Sequence, residues 1–205
     1  MAEGIRLQEI REFAVQICHA RTNNPVGTGF VAREGIVTCA HVVRKANRND
    51  AGIEPKAADG LEVGVYFPER GGRASFQKRA KVISCFKQYD DDVVLLHLRD
   101  GSAPLGPELS ARFGSAKGSE LHEFLSFGYR RLKNYQGLPA YGKIIGHADK
   151  PTGKKFQGDP VMLSSQNIDR GMSGAPVLDV TRNLIIGIIY PTFRSNLLKI
   201  EYFSC

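Results

Sequence analysis

Cysteine is scarce in this sequence, and long apolar runs are missing. The 4 cysteines among 205 residues form no C-x-x-C pair, which argues against a zinc or dithiol redox site. No apolar run approaches the roughly 20 residues that a membrane-spanning helix needs. The first residues, MAEGIR, lack the basic and apolar regions of a secretory signal. We therefore expect that the protein binds no metal or cofactor, does not associate with a membrane and lies in the cytoplasm. We expect Cys18, Cys39 and Cys85 to be core residues.

The positive net charge raises the question of a nucleic-acid partner. The net charge is +7 and the isoelectric point is near 9.3, which would suit binding to DNA or RNA. The basic residues are spread along the chain, however, and no dense basic tract or nucleic-acid-binding motif is present. A nucleic-acid binder is therefore a lesser alternative, which a steep salt dependence of binding would support.

Short β-patterned segments recur between Gly-, Pro- and Asp-rich breaks, as is typical of an all-β barrel or sandwich. Six such segments lie on each side of a polar stretch from Arg99 to Ser119. This pattern predicts an extension at 1–13, a first β lobe at 14–100, a linker at 101–120 and a second β lobe at 121–205. The twelve segments are Ala14–Ala20, Gly29–Arg33, Ile36–Ala40, Leu61–Phe67, Ala80–Phe86, Val93–Leu98, Glu123–Tyr129, Ala140–His147, Pro160–Ser164, Ala175–Asp179, Leu184–Tyr190 and Leu198–Phe203.

Helical signals are few. Ile5, Ile10 and Phe13 could line one face of a short N-terminal helix, and the same segment could equally be extended. The sequence leaves these two alternatives open.

A glycine-flanked serine lies late in the chain, in Gly171-Met172-Ser173-Gly174-Ala175-Pro176. A serine nucleophile needs an exposed turn, backbone N–H groups for the oxyanion, and a base. Glycines allow the sharp turn and the close approach of a substrate. Gly-Ser-Pro clusters are commonly plain turns, so this motif depends on finding its partners.

Two further motifs supply such partners. The string Thr38-Cys39-Ala40-His41-Val42-Val43 ends an apolar strand with a histidine, the natural general base because the unperturbed imidazole pKa is about 6.5. The acidic run at 90–92 comes directly before the apolar strand VVLLHL. A carboxylate there can fix the tautomer of a histidine. The order His41, Asp92, Ser173 takes base and acid from the first lobe and the nucleophile from the second, so the site is predicted in the cleft between them.

The strings TCAHVV, DVVLL and GMSGAP resemble the three signatures of chymotrypsin-fold, trypsin-like serine proteases. The resemblance runs from about Ala14 to Tyr190 and looks closest to the bacterial intracellular and HtrA-like branch, including modules fused to NTPase or signalling domains in antiviral defence proteins. It implies two six-stranded antiparallel β-barrels with the active site in the cleft between them.

The resemblance also implies a role for each site residue. His41 would be the general base, Asp92 would orient it in preference to Asp90 or Asp91, and Ser173 would attack the scissile carbonyl. The backbone N–H groups of Gly171 and Ser173 would form the oxyanion hole. A protein or peptide substrate would pair with the strand that carries Tyr190 and Thr192. The implied activity is a serine endopeptidase that works through an acyl-enzyme and uses no cofactor.

Three positions depart from the family pattern. Met172 stands where the digestive branch has an acidic residue that binds a newly cut N-terminus. The resemblance therefore implies an activity that is either constitutive or gated by a partner or a fused sensor domain, and not switched on by proteolysis. Asn167 stands at the floor of the specificity pocket, where trypsin has an acidic residue, and could equally be a turn residue. The segment after Thr192 is short for the family, so we expect either an open pocket or a longer native protein.

Two other interpretations use the same fold. A catalytically silent module would bind a peptide or partner protein; such modules commonly lose a triad residue, whereas this sequence retains all three. A viral polyprotein protease would have flanking polyprotein sequence, which a reading frame beyond this chain would reveal.

Overall fold

The computed structural model describes residues 2–85, 92–105, 111–129, 137–149, 153, 160–191 and 198–201. Six antiparallel strands form a first closed barrel, with strand order β1-β2-β3-β6-β5-β4. Their short, β-branched segments suit a barrel because alternate side chains fill its interior. The strands are β1 (Ala14–Cys18), β2 (Pro25–Ala32), β3 (Gly35–Cys39), β4 (Glu62–Phe67), β5 (Phe76–Cys85) and β6 (Val93–Leu98).

The second barrel repeats the same connectivity, with strand order β7-β8-β9-β12-β11-β10 and closure of β10 on β7. The predicted fold class is therefore confirmed. All twelve predicted segments coincide with strands, although β2 begins at Pro25 and β5 at Phe76, earlier than the pattern indicates. The strands are β7 (Glu123–Gly128), β8 (Leu138–His147), β9 (Val161–Ser164), β10 (Pro176–Asp179), β11 (Leu184–Pro191) and β12 (Leu198–Glu201).

Two helices accompany the barrels in the described part of the chain. The N-terminal segment is helical as α1 (Ala2–Phe13), which decides between the two alternatives left by the sequence. The helix packs against β7 and β2 and buries Ile10 in the core. Neither described helix is long and apolar enough to cross a bilayer.

The second helix, α2 (Ala40–Ala46), replaces the strand end that the sequence predicts at His41. Strand β3 ends at Cys39, whose register partner is Val93. Beyond that pair the apolar residues follow helical spacing, since Ala40, Val43 and Ala46 are all buried. Arg44 and Lys45 lie in the last turn, where positive charge is favourable to the helix dipole. His41 is thereby held on the first turn of a rigid element.

One apolar core cluster contains residues of both barrels. The larger apolar cluster consists mainly of first-barrel residues but also contains Phe127, Tyr129 and Ile188 from the second barrel. A second cluster fills the other barrel and includes Met172 and Val177. The core positions expected for two cysteines are confirmed, because Cys18 and Cys39 are buried; the Cys85 side chain lies outside those described.

Candidate active site

The structure brings His41 and Asp92 together at the start of α2. The His41 backbone N–H donates to Asp92 Oδ1 at 2.8 Å, and His41 Nδ1 is hydrogen-bonded to Asp92 Oδ2. The Ala40 N–H also donates to the Asp92 carbonyl at 2.9 Å. These bonds follow from the pairing of β3 with β6, because Cys39 and Val93 are register partners.

This pairing sets the chemistry of the imidazole. An ionised carboxylate only accepts hydrogen bonds, so Nδ1 donates and Nε2 keeps its lone pair when the ring is neutral. The side chains of His41 and Asp92 are 16% and 13% exposed, so the pair is open to the cleft on one side. Asp90 and Asp91, the other acidic residues of the motif, lie outside the described residues.

The turn that carries Ser173 is fixed by two glycines with left-handed backbone conformations. Gly171 has φ of 98° and Gly174 has φ of 86°, a region that side chains with a Cβ rarely adopt. A Cβ at Gly174 would also lie 2.2 Å from the Thr28 carbonyl oxygen. The glycines thus let this turn lie directly against the first barrel.

Thr28, on β2 of the first barrel, holds both ends of the turn. Its Oγ1 donates to the Gly171 carbonyl at 2.9 Å, and its N–H donates to the Ser173 carbonyl at 3.0 Å. Thr28 is itself fixed, since its Oγ1 accepts the Tyr129 N–H at 2.8 Å and its carbonyl accepts the Thr38 hydroxyl at 2.7 Å. Thr28 is not among the residues predicted from the sequence, although its hydroxyl lies in the glycine-rich string Gly27-Thr28-Gly29.

Three further peptide groups of the turn are also hydrogen-bonded. The Met172 N–H donates to Asp169 O at 3.2 Å, and the Met172 carbonyl accepts the Ala175 N–H at 2.9 Å. The Gly174 N–H donates to Ile189 O at 2.9 Å.

Two donors remain open in the turn. Among the described residues, the N–H groups of Gly171 and Ser173 have no recorded partner. These are the two donors that the family resemblance assigns to an oxyanion hole, and a held turn with two open N–H groups can stabilise developing negative charge.

The serine turn and the end of β3 meet at Ile189. The Ile189 carbonyl accepts the Gly174 N–H and, at 3.6 Å, the Cys39 Sγ, so the turn and the end of β3 share one acceptor. Within the described ranges, no hydrogen bond is recorded between Ser173 Oγ and His41 Nε2. Such bonds are commonly long before substrate binds.

Three residues were predicted to bind substrate. Tyr190 lies near the end of β11, with its ring edge-on to His41 at 5.5 Å between centroids. Asn167 is half-buried after β9, and its N–H donates to Ser165 Oγ at 3.2 Å, as in a local turn. Thr192 lies outside the described residues. Met172 is fully buried in the core of the second barrel, so its apolar side chain has a packing role.

A buried arginine joins the barrels beside this network. Arg70 Nη2 donates to the Tyr129 hydroxyl at 2.6 Å, and its guanidinium lies 5.0 Å from the centre of the Phe127 ring. Burial lowers the pKa of Arg70 and raises that of Tyr129, because both charged forms are poorly solvated there. This contact helps to hold Tyr129, whose N–H supports Thr28.

The chain is similar to known proteins both in sequence family and in fold. The family model of the trypsin-like peptidase domain matches residues 27–188, a range that contains His41, Asp92 and Ser173. No curated protein matches the sequence significantly.

Several solved protease structures share the fold. Deg5 superposes with a TM-score of 0.71 at 20% identity, covering 98% of this chain and 88% of that one. The inactive form of the Rv3671c protease superposes with a TM-score of 0.66 at 16% identity, covering 98% of this chain and 88% of that one. The HtrA-type protease AlgW with tripeptide superposes with a TM-score of 0.67 at 16% identity, covering 96% of this chain and 59% of that one. At these identities the likeness concerns the fold, whereas the family model covers most of the chain: the chain belongs to the trypsin-like peptidase domain family.

Proposed function

We propose that the protein is a serine endopeptidase in which Ser173, His41 and Asp92 act as a catalytic triad. The observation that carries the proposal is the serine turn, in which the Gly171 and Ser173 N–H groups are left open while Thr28 holds both ends of the turn. The paired His41 and Asp92 supply a base on the other side of the cleft.

In this mechanism His41 Nε2 takes the proton of Ser173 Oγ as the oxygen attacks the scissile carbonyl. Asp92 accepts the Nδ1–H and stabilises the imidazolium that forms. The tetrahedral oxyanion is bound by the N–H groups of Gly171 and Ser173. His41 then protonates the leaving amine, and water hydrolyses the acyl-enzyme by the reverse sequence of proton transfers. These roles are those established for the triad of this fold.

The substrate is proposed to be a protein or peptide that lies along β11 in an extended conformation. The position of Tyr190 beside His41 supports this binding mode. A substrate paired with β11 at Tyr190 would bring its scissile carbonyl to the serine turn. Asn167 is proposed to lie at the specificity pocket.

The trigger is proposed to be a regulatory partner or fused domain and not a cut N-terminus. A new amino terminus would need a carboxylate beside the serine, and the adjacent Met172 is apolar and fully buried. A partner would act by changing the loops that surround the cleft.

A fluorophosphonate probe tests the proposed nucleophile. We expect the wild-type protein to be labelled, Ser173→Ala to lose the label, and Ser164→Ala, a change at an exposed serine of β9, to be labelled normally. Mass spectrometry of the labelled peptide identifies the modified residue. Labelling that persists in Ser173→Ala would contradict the assignment. An unlabelled but folded wild type, in the presence and absence of candidate partners, would favour a catalytically silent binding module.

A further inference from the structure

A thiol lies beside the proposed base and takes no part in the mechanism. Cys39 Sγ, one ring nitrogen of His41 and one carboxylate oxygen of Asp92 all lie within 4.8 Å of one another. Cys39 ends β3, His41 is the second residue of α2 and Asp92 precedes β6. The same strand pairing that joins the base to its carboxylate therefore brings the sulfur to them.

Thiolate, imidazole and carboxylate form a donor set that suits zinc. In tetrahedral zinc sites the bonds are about 2.3 Å to sulfur and about 2.0–2.2 Å to nitrogen and oxygen, which places the donor atoms roughly 3.5 Å apart. The three donors lie within 4.8 Å of one another, and a metal bound between them would replace the hydrogen bond that now joins His41 Nδ1 to Asp92 Oδ2. Three protein ligands also leave a fourth position for water.

Charge balance favours such a complex in a partly buried place. A thiolate and a carboxylate carry two negative charges, which a divalent cation neutralises, while the imidazole is neutral. Arg44 opposes a cation, but its Nη2 is 3.9 Å from Asp92 Oδ1, whereas His41 faces Oδ2. Cys39 is fully buried, while His41 and Asp92 are partly exposed, so the ion would enter from the cleft.

We propose that Cys39, His41 and Asp92 form an inhibitory site for a thiophilic divalent cation such as Zn²⁺. On binding, the Cys39 thiol releases its proton to solvent, and the imidazole proton moves from Nδ1 to Nε2 so that the Nδ1 lone pair coordinates the metal. A ring that carries its proton on Nε2 cannot accept the Ser173 proton. The inhibition rests on the proposed peptidase function; the metal binding does not.

Cobalt titration tests the binding without relying on activity, because Co²⁺ replaces Zn²⁺ and is coloured. We expect wild type to show thiolate-to-cobalt charge transfer and tetrahedral d–d bands, both lost on adding Zn²⁺. Cys39→Ala should lose the charge-transfer band. Cys18→Ala is the matched control, since Cys18 is another buried thiol of the first barrel, and burial raises its pKa to about 11; its spectrum should match wild type.

Zinc inhibition of peptide cleavage tests the consequence. We expect Cys39→Ala to need about 100-fold more Zn²⁺ for half-inhibition, since loss of even an outer contact to a metal ligand typically costs 10–100-fold in affinity. Cys39→Ser, which retains the side-chain size, should behave like Cys39→Ala, so that a cavity effect is separated from loss of the sulfur. A chelator should restore wild-type activity.

The two ideas fail in different ways. A cobalt spectrum without thiolate charge transfer, or equal zinc inhibition of wild type and both Cys39 variants, would overturn the metal site. A thiolate-dependent cobalt spectrum in a wild type that cleaves no peptide and takes no fluorophosphonate would support the metal site and reject the peptidase. Ser173→Ala should bind cobalt like wild type in either case.

Discussion

Each barrel contains a histidine paired with an aspartate. In the first barrel His41 Nδ1 bonds Asp92 Oδ2, and in the second His122 Nδ1 bonds Asp179 Oδ2 at 2.8 Å. The hydrogen bond between ring and carboxylate is the same in both pairs. The pairs differ in the groups that surround the aspartate and in the groups that face the histidine ring.

Asp179 is a structural junction. It is fully buried at the end of β10 and accepts the N–H groups of Thr181 and Arg182 at 2.9 and 3.1 Å. Burial would raise its pKa, but hydrogen bonds from Ser119, His122 and the Arg182 N–H outweigh burial, and the pKa is lowered.

Asp92 is placed differently, because its carboxylate accepts hydrogen bonds from both the ring and the backbone N–H of His41. That ring lies edge-on to Tyr190, the neighbour of Ile189, whose carbonyl accepts the Gly174 N–H of the serine turn. A His–Asp pair is thus a candidate catalytic base only where a proposed nucleophile, here Ser173, lies across from the histidine. Without a nucleophile, as at His122 and Asp179, the pair only connects neighbouring loops.

The largest expected effect separates the two histidines. His41→Ala should lower kcat/KM by roughly 10⁴-fold or more, the scale known for loss of a triad residue, with the thermal midpoint little changed. His122→Ala should keep the activity but lose about 1–2 kcal/mol of unfolding free energy, because a buried carboxylate loses a donor. Peptide cleavage and urea unfolding of both variants check this. Equal loss of activity in both would remove the distinction between the pairs.

The two aspartates should separate next. Asp92→Asn should lower kcat by about 10⁴-fold, the loss known for this change in the fold's triad, because an amide stabilises the wrong tautomer of the ring. Asp179→Asn should leave kcat unchanged, since Asp179 contacts no group of the cleft among the described residues. Single-turnover acylation measures the effect. Full activity in Asp92→Asn would show that His41 needs no carboxylate.

The serine turn can be loosened from a distance through Thr28. Thr28→Val removes the hydroxyl that bonds Gly171 O and Tyr129 N, and a small shift of the turn should lower kcat by about 10–100-fold. KM should change little. A peptide boronic acid, whose adduct resembles the oxyanion, should lose affinity in parallel with kcat.

Thr28→Ser is the matched control, because it retains the hydroxyl and should retain the activity. Melting curves separate a general loss of fold from the local effect. If Thr28→Val bound the boronic acid as tightly as wild type, the turn would be held without Thr28.

The barrel architecture was readable from the sequence because each strand is a short local pattern. The helix at His41 was not, since Ala40, Val42 and Val43 would also fit the end of a strand. These residues are helical because the pairing of Cys39 with Val93 ends β3 and because they are buried against the barrel. Neither the strand pairing nor the burial can be predicted from a local sequence pattern.

The candidate site shows the same division. His41, Asp92 and Ser173 were proposed from three short motifs, whereas Thr28 came to notice through bonds to Gly171 and Tyr129, residues more than 100 positions away. The pairing of His122 with Asp179 was missed for the same reason. A hydroxyl or a histidine shows its chemistry in the sequence, but its partner is set by the fold.

The smallest expected effect concerns the pH dependence of the second pair. The folded-state pKa of Asp179 is lowered from an ordinary value of about 3.9, so its ionised form stabilises the fold above that ordinary value. The stabilisation is lost as the pH falls through the lowered pKa. Asp179→Asn should therefore be less stable than wild type by about 1–2 kcal/mol at neutral pH, and the difference should shrink as the solution becomes more acid than about pH 4. Urea unfolding at a series of pH values measures it. A difference that stayed constant into strong acid would mean that the geometry of the junction, and not the charge of Asp179, stabilises the second barrel.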